Sequence, residues 1–361
     1  MHLSFCGSSA FYIAMHSEEA ASGKFSVFLH DIEKTVILIY HMNIRGNSIM
    51  VKIDLITGFL GSGKTTFIKK YAKHLIDSGA NIGILENDYG AVNVDMMLLK
   101  DLEGENCELE MIAGGCDAEC HRRRFRTKLI AMGMCGYDRV IVEPSGIYDV
   151  DEFFDVLRDD PIDRWYEIGN VITVVDAKLE EKLSDEADYL LASEAANAGC
   201  IVLSRSQEAS EKEIENTVSH LNAAMEKVQC KRRFKDEIVV KDWTAFDEAD
   251  YETFLSCGYV PENYRKMHIE EGETFKSLYF MNLDKTTDEI IESAKNILED
   301  KECGRVFRVK GFLKDEAGEW LELNATHQEM RICPIPEGQE VVIVIGEELN
   351  EERIQQYFSM Q

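Results

Sequence analysis

The chain is predicted to be an α/β protein with a mainly parallel sheet, followed by a smaller C-terminal α+β domain, and three observations predict it. Near-continuous apolar runs rich in β-branched residues recur at 52–57, 81–86, 139–143, 171–176, 200–203 and 238–241. Stretches of helical period lie between most of them, at 149–158, 178–198 and 210–228. Strands that are apolar throughout and separated by helices imply parallel pairing with both faces covered. Beyond 268 the order changes to a strand at 275–281, a helix at 288–298, strands at 305–313, 319–325 and 341–346, and a short helix at 351–358.

The first strand runs into Gly58-Phe59-Leu60-Gly61-Ser62-Gly63-Lys64-Thr65, which satisfies G-x-x-x-x-G-K-[ST] at every fixed position. The spacing predicts a P-loop NTPase domain. Gly58, Gly61 and Gly63 allow backbone N–H groups to turn inward around phosphate oxygens, together with Ser62 and Thr66. Lys64 reaches the β- and γ-phosphates, and the Thr65 hydroxyl serves Mg²⁺. The following helix carries Phe67, Ile68, Tyr71 and Leu75 on one face, so its positive N-terminal end points at the phosphates. A glycine-rich turn beside a surface lysine is the structural alternative, and the strand before and helix after argue against it.

At 361 residues there is material for about two domains. With 39 Lys+Arg against 67 Asp+Glu, a formal charge of −28 disfavours nucleic acid and anionic membrane as partners, because the summed field repels phosphates. Ten cysteines without a secretory signal suggest a reducing, cytoplasmic setting, where clustered cysteines are metal or redox sites more often than disulfides. The longest apolar stretches, such as 36–40 and 341–345, are too short to span a bilayer.

Residues 1–49 show no sustained period, and Met50 stands directly before the first strand. We expect Met50 to be the natural start and 1–49 an upstream extension, with Arg45-Gly46 encodable by a purine-rich ribosome-binding sequence; a poorly ordered tail is the alternative. The expected organisation is an extension at 1–49, a nucleotide-binding domain at 50–242, a linker at 243–267 and a C-terminal domain at 268–361.

Further segments fall where a nucleotide switch needs them. Glu86-Asn87-Asp88-Tyr89-Gly90 follows the second strand, and Glu143-Pro144-Ser145-Gly146 the 139–143 strand. Asp88 and Glu143 are candidate catalytic carboxylates that can hold Mg²⁺ or its waters, and Gly146 lets a backbone N–H approach a γ-phosphate. Gly114-Gly115-Cys116-Asp117-Ala118-Glu119-Cys120-His121 places two thiols within C-x₂₋₄-C spacing, with His121 able to join a tetrahedral set. Two free thiols at a helix start are the alternative. The run Arg122, Arg123, Arg124, Arg126 and Lys128 is a basic patch that could lower the thiol pKa or grip an acidic partner, or else a solvated helix face.

The P-loop, the E-N-[ED]-[FY]-G segment, the Gly-Cys loop, the E-x-x-G and the strand 171–176 together resemble the CobW-type GTPases, which belong with the hydrogenase and urease nickel-insertion GTPases. Arg308-Val309-Lys310-Gly311 and Ile345-Gly346-Glu347-Glu348-Leu349 are similar to the R-x-K-G and I-G-x-x-L landmarks of that family's C-terminal domain. The resemblance covers nearly everything after Met50. It implies a cytoplasmic nucleotide hydrolase acting as a metallochaperone or metal-insertion factor for Zn²⁺, Co²⁺ or a related ion. The implied partner is a client metalloprotein recognised by the C-terminal domain, and a homodimer is among the assemblies it allows.

Two features depart from the family pattern. Where it has Cys-x-Cys-Cys, this chain has Cys116, Cys120 and His121, a set whose softness differs. Where guanine is read by Asn-Lys-x-Asp, it has Ser204-Arg205-Ser206-Gln207. A carboxylate accepts both guanine donors, whereas the Gln207 amide offers one acceptor and one donor, so GTP and ATP are both expected substrates. Metal affinity is expected to follow the nucleotide state through the segments around Asp88 and Glu143. A nucleotide-sensing scaffold for a cobalamin- or metal-dependent client, carrying no metal itself, is the competing reading; a small-molecule kinase is a third.

Overall fold

A computed structural model describes residues 50–88, 95–113, 118–146, 150–180, 182–235, 237–267, 275–315, 317–327, 329–336 and 338–359, with 88, 95, 113 and 118 described through their backbone only. The expected 1–49 extension lies outside the described residues.

The first sheet has seven strands in the order β3-β2-β4-β1-β5-β6-β7. They are β1 Val51–Thr57, β2 Ile82–Asp88, β3 Cys107–Ala113, β4 Arg139–Pro144, β5 Tyr166–Asp176, β6 Cys200–Ser204 and β7 Ile238–Val239, and every neighbouring pair is parallel. The helices are α1 Lys64–Asp77, α2 Asp95–Leu99, α3 Ala118–Gly133, α4 Val150–Leu157, α5 Asp185–Ala196 and α6 Glu211–Lys227. Successive strand residues face opposite ways, so Ile53 and Leu55 enter one apolar layer, with Phe125 and Leu190, while Ile56 enters the other, with Phe67 and Tyr71.

β3 was not among the expected strands. Its alternation of Cys107 and Leu109 with Glu108 and Glu110 suits a sheet edge that is half covered, not a buried run. The stretch 243–267, expected as linker, carries α7 Glu248–Ser256, opened by a capping box between Asp247 and Asp250. Phe254 of α7 is fully buried and stands edge-on to Phe67 of α1 at 5.2 Å, beside Trp243 at 5.7 Å from the same ring. Burying a phenylalanine of this kind stabilises by about 1.5–3 kcal/mol, enough to hold the segment on the P-loop helix.

The C-terminal sheet has five antiparallel strands in the order β11-β10-β9-β12-β8: β8 Phe275–Met281, β9 Arg305–Lys314, β10 Trp320–Ala325, β11 Met330–Ile335 and β12 Val341–Glu347. α8 Thr287–Glu299 and α9 Glu351–Phe358 cover one face through Ile290, Ile297 and Ile354. β11 is a second strand absent from the expectation.

At the amino ends of the parallel strands lies a buried polar cluster that no motif announces. Asp54, fully buried, accepts from Arg139 Nη1 at 2.6 and 2.5 Å, from the Tyr71 hydroxyl at 2.7 Å and from the Asn170 backbone N–H at 2.8 Å. It ties β1, β4, β5 and α1 together at the end opposite the P-loop.

Candidate functional site

The P-loop leaves the carboxyl end of the central strand β1, where parallel sheets of this type place their ligands. Gly58 has φ 145°, and a Cβ there would fall 2.3 Å from the Val174 carbonyl oxygen, so no other residue fits. The Lys64 ammonium donates to the Gly58 carbonyl at 2.8 Å, spanning the loop that it would share with a phosphate. Ser62 is buried, and its Oγ has no hydrogen-bond partner among the described residues, which suits a phosphate oxygen acceptor. Thr66 is exposed at the outer rim.

Around this loop opens a cavity of about 440 Å³, lined by Gly61 to Thr66, Glu86, Glu143, Gly146, Ser204, Arg205 and Gln207. The volume lies in the range of small-ligand sites. The structure thus brings together most of the residues singled out from sequence. Thr65 Oγ1 donates to Glu143 Oε1 at 2.9 Å, so a hydroxyl and a carboxylate sit side by side as hard oxygen donors. That pair fits Mg²⁺, which takes one or two protein oxygens together with substrate phosphates. At Gly146 a Cβ would meet the Leu60 backbone nitrogen at 2.7 Å; glycine alone permits this approach of the β4 exit to the P-loop.

Glu86 was passed over in favour of Asp88, yet it lines the cavity, and its β2 position is paired in register with Glu143. Period-2 alternation puts residues 86 and 88 on one face, a signal that was available in the sequence. The Asp88 side chain lies outside the described residues.

On the base side, Arg205 forms an ion pair with Asp176, and its Nε lies 2.9 Å from Glu329 Oε1. Burial raises the Asp176 carboxyl pKa, opposed by the Arg205 charge. Two carboxylates therefore hold the Arg205 guanidinium. Gln207 is exposed, and the turn Asp242 to Thr244, not anticipated, completes this end of the cavity.

Glu194 of α5 is the other residue missed. It is 1% exposed, and neither carboxyl oxygen has a hydrogen-bond partner among the described residues. Its backbone carbonyl takes the hydroxyls of Thr57 at 3.1 Å and Thr173 at 2.9 Å, beneath the P-loop. The signal was a lone charge in the apolar run Tyr189 to Ala198. Burial pushes its carboxyl up to about 8 against the pull of the Lys64 ammonium. Because the folded value lies above the ordinary one, this group's contribution is complete at acidic pH and is lost as pH rises toward the folded value. The Tm of nucleotide-free protein should fall between about pH 5 and pH 8 through this group, and Glu194→Gln should flatten the fall. An identical pH profile in the variant would rule Glu194 out as its source.

Of the proposed transition-metal residues, Cys116 lies outside the described residues. Cys120 is half-buried, and His121 is fully buried in the first turn of α3. Among the described residues no cluster of three metal-ligating side chains occurs. The basic run that follows is engaged within the fold: Arg126 Nη2 donates to the Asp160 carbonyl at 2.5 Å, Arg122 and Arg126 face Asp159, and Lys128 pairs with Glu110 at 2.7 Å. Parallel pairing sets Asp88 beside Ala113, so β2 and β3 end together at the carboxyl end of the sheet, the end from which the P-loop leaves β1, two strands further in than β2.

A family model described as CobW/HypB/UreG, nucleotide-binding domain, matches residues 52–235. The chain is 30% identical to Zinc chaperone YeiR of Escherichia coli K12 over 143 residues, 39% of this chain and 42% of that protein. It is 25% identical to Zinc chaperone YjiA of the same organism over 186 residues, 48% and 55%. The matches thus span about half the length of these curated relatives. Among solved structures it is similar to the Zn(II)-bound YjiA GTPase from E. coli, with 18% identity, 86% of this chain and 98% of that chain covered, and a TM-score of 0.36.

Proposed function

Because the chain belongs to the CobW/HypB/UreG family through its nucleotide-binding domain, we propose that it is a nucleoside-triphosphate hydrolase that loads zinc into a client metalloprotein. The observation that carries this reading is the register of β2 with β3. Glu86 of β2 lines the nucleotide cavity and pairs with Met111 of β3, the strand that precedes the Gly-Cys segment in the sequence, so a change around the phosphates has a path of one strand spacing into β3.

The chain's own residues divide the work. The P-loop amides and Lys64 bind and orient the phosphates, and Lys64 offsets charge that grows in the transition state. Glu143 and Thr65 would hold Mg²⁺, which when bound neutralises the phosphates. Gly146 admits its backbone N–H beside the P-loop. Cys116 and Cys120, with His121, take the zinc as cargo, and the relatives named as zinc chaperones support that choice over cobalt. With Gln207 in place of a carboxylate, the protein accepts both GTP and ATP. The C-terminal domain recognises the client.

Zinc content and hydrolysis of GTP and ATP, measured side by side on the parent and on Cys116→Ser/Cys120→Ser, test this. The parent should retain about one zinc per chain, more weakly at low pH because thiolate is the binding form, and the double variant should bind it at least tenfold more weakly. Zinc held equally tightly by the variant would return the loop to a structural role. A parent that hydrolyses nucleotide and binds no metal would favour the metal-free scaffold.

A further inference from the structure

β9 and β12 pair residue for residue until Ile345 faces Arg308 and Gly346 faces Val306, which leaves Phe307 as one extra residue on β9. A bulge of this kind turns consecutive side chains toward the same side, and bulges recur beside functional sites where a side chain is re-aimed. Here both go to the P-loop. The Phe307 ring stands edge-on to Phe59 at 5.8 Å. The Arg308 side chain lies across Gly61, with Cδ 3.6 Å and Nη1 3.9 Å from the place a Cβ on that glycine would occupy. Its Nε donates to Asn324 Oδ1 at 2.7 Å, which fixes the plane of the guanidinium.

Two further observations locate and characterise this contact. Gly146 approaches the P-loop at Leu60, the residue before Gly61, so the β4 exit and the C-terminal arginine meet the loop at the same end. The cavity wall carries six Lys or Arg side chains against four Asp or Glu, the reverse of a chain with 39 against 67. Lys310 belongs to that wall, 2% exposed with Glu322 Oε1 at 3.7 Å. Keeping a buried ammonium there is costly unless the wall faces negative charge.

We propose that Arg308 is an arginine supplied in cis by the C-terminal sheet to the terminal phosphate of the nucleotide, which it contacts during hydrolysis; this rests on the hydrolase reading above. In that step the oxygen of water bonds to the γ-phosphorus as the bond from phosphorus to the β–γ bridging oxygen breaks. The electron pair stays with the diphosphate, and both protons of the water leave with the inorganic phosphate as H₂PO₄⁻. Charge gathers on the bridging and γ-oxygens, where a planar guanidinium over Gly61 stabilises it.

Single-turnover hydrolysis of GTP and ATP, affinity for GDP and ADP, and Tm are to be measured for the parent, Arg308→Ala, Arg308→Lys and Asn324→Leu. Arg308→Ala should slow hydrolysis about 100-fold or more while diphosphate affinity stays within about threefold, and lysine should not restore the rate because it lacks the planar fork. Binding of GDP with aluminium fluoride should be lost in Arg308→Ala and GDP alone retained, a split that a merely structural arginine does not produce. Asn324→Leu, which keeps the arginine and removes its anchor, should slow hydrolysis about tenfold and serves if Arg308→Ala does not fold. An active parent with unchanged rates in the folded variants would overturn the inference alone. A parent inactive toward both nucleotides would overturn the hydrolase reading and this inference with it.

Discussion

Lys64→Ala should lower nucleotide hydrolysis by about 10²–10³-fold, the size of losing one preorganised charge that stabilises the transition state. The side chain spans the P-loop, with its ammonium on the Gly58 carbonyl at 2.8 Å. Its loss therefore removes a cation from the cradle and leaves the sheet intact. Glu194 senses it: its carboxyl is raised by burial and pulled down by Lys64. Without the lysine that carboxyl holds its proton more firmly, so the substitution exposes no new buried charge at neutral pH. Phosphate release and Tm measured together check this: turnover should collapse while Tm changes by no more than a few degrees. Unchanged turnover would remove the P-loop from the chemistry.

Arg139→Ala should cost about 3–5 kcal/mol of stability, because it strands the Asp54 carboxylate without its cation in the interior. Asp54 is fully buried, and the arginine side chain is 10% exposed, so solvent does little to screen the loss. The Tyr71 hydroxyl and the Asn170 amide remain as donors, but neither carries charge. A fall in Tm on the order of 10 °C follows. Replacing Asp54 by Asn in the same chain should recover much of it, since the neutral amide needs no counter-ion. Urea unfolding of the two single variants, the double variant and the parent gives the coupling; if Arg139→Ala costs less than about 1 kcal/mol, the pair is not what fastens β1 to β4 and α1.

The parallel sheet was legible wherever a strand is buried on both faces, because there periodicity and apolarity coincide, as in 139–143 and 171–176. It was not legible at the edges. β3 alternates glutamate with apolar residues, and β11 contains Pro334, whose missing N–H argues against a strand unless it lies at a sheet edge, as β11 does. The site followed the same division. Lys64, Thr65, Glu143 and Gly146 are close in motif and meet in space, whereas Glu86 needed its register with Glu143, and Glu194 needed the depth of α5, before either stood out.

What the sequence determined by itself is local: a loop whose glycines and lysine can close on phosphate, the helix dipole behind it, and the order of strands and helices. These depend on backbone sterics and on spacings of a few residues, which any reader of the chain can count. Only the tertiary structure decided that Asp54 finds Arg139 85 positions away, that β3 pairs with β2 so that Met111 stands beside Glu86, and that a bulge in β9 lays Arg308 across Gly61. Such contacts follow from the crossing order of strands and from packing between sheets. Buried charge and register select their partners across the whole chain, and no period along the sequence encodes them.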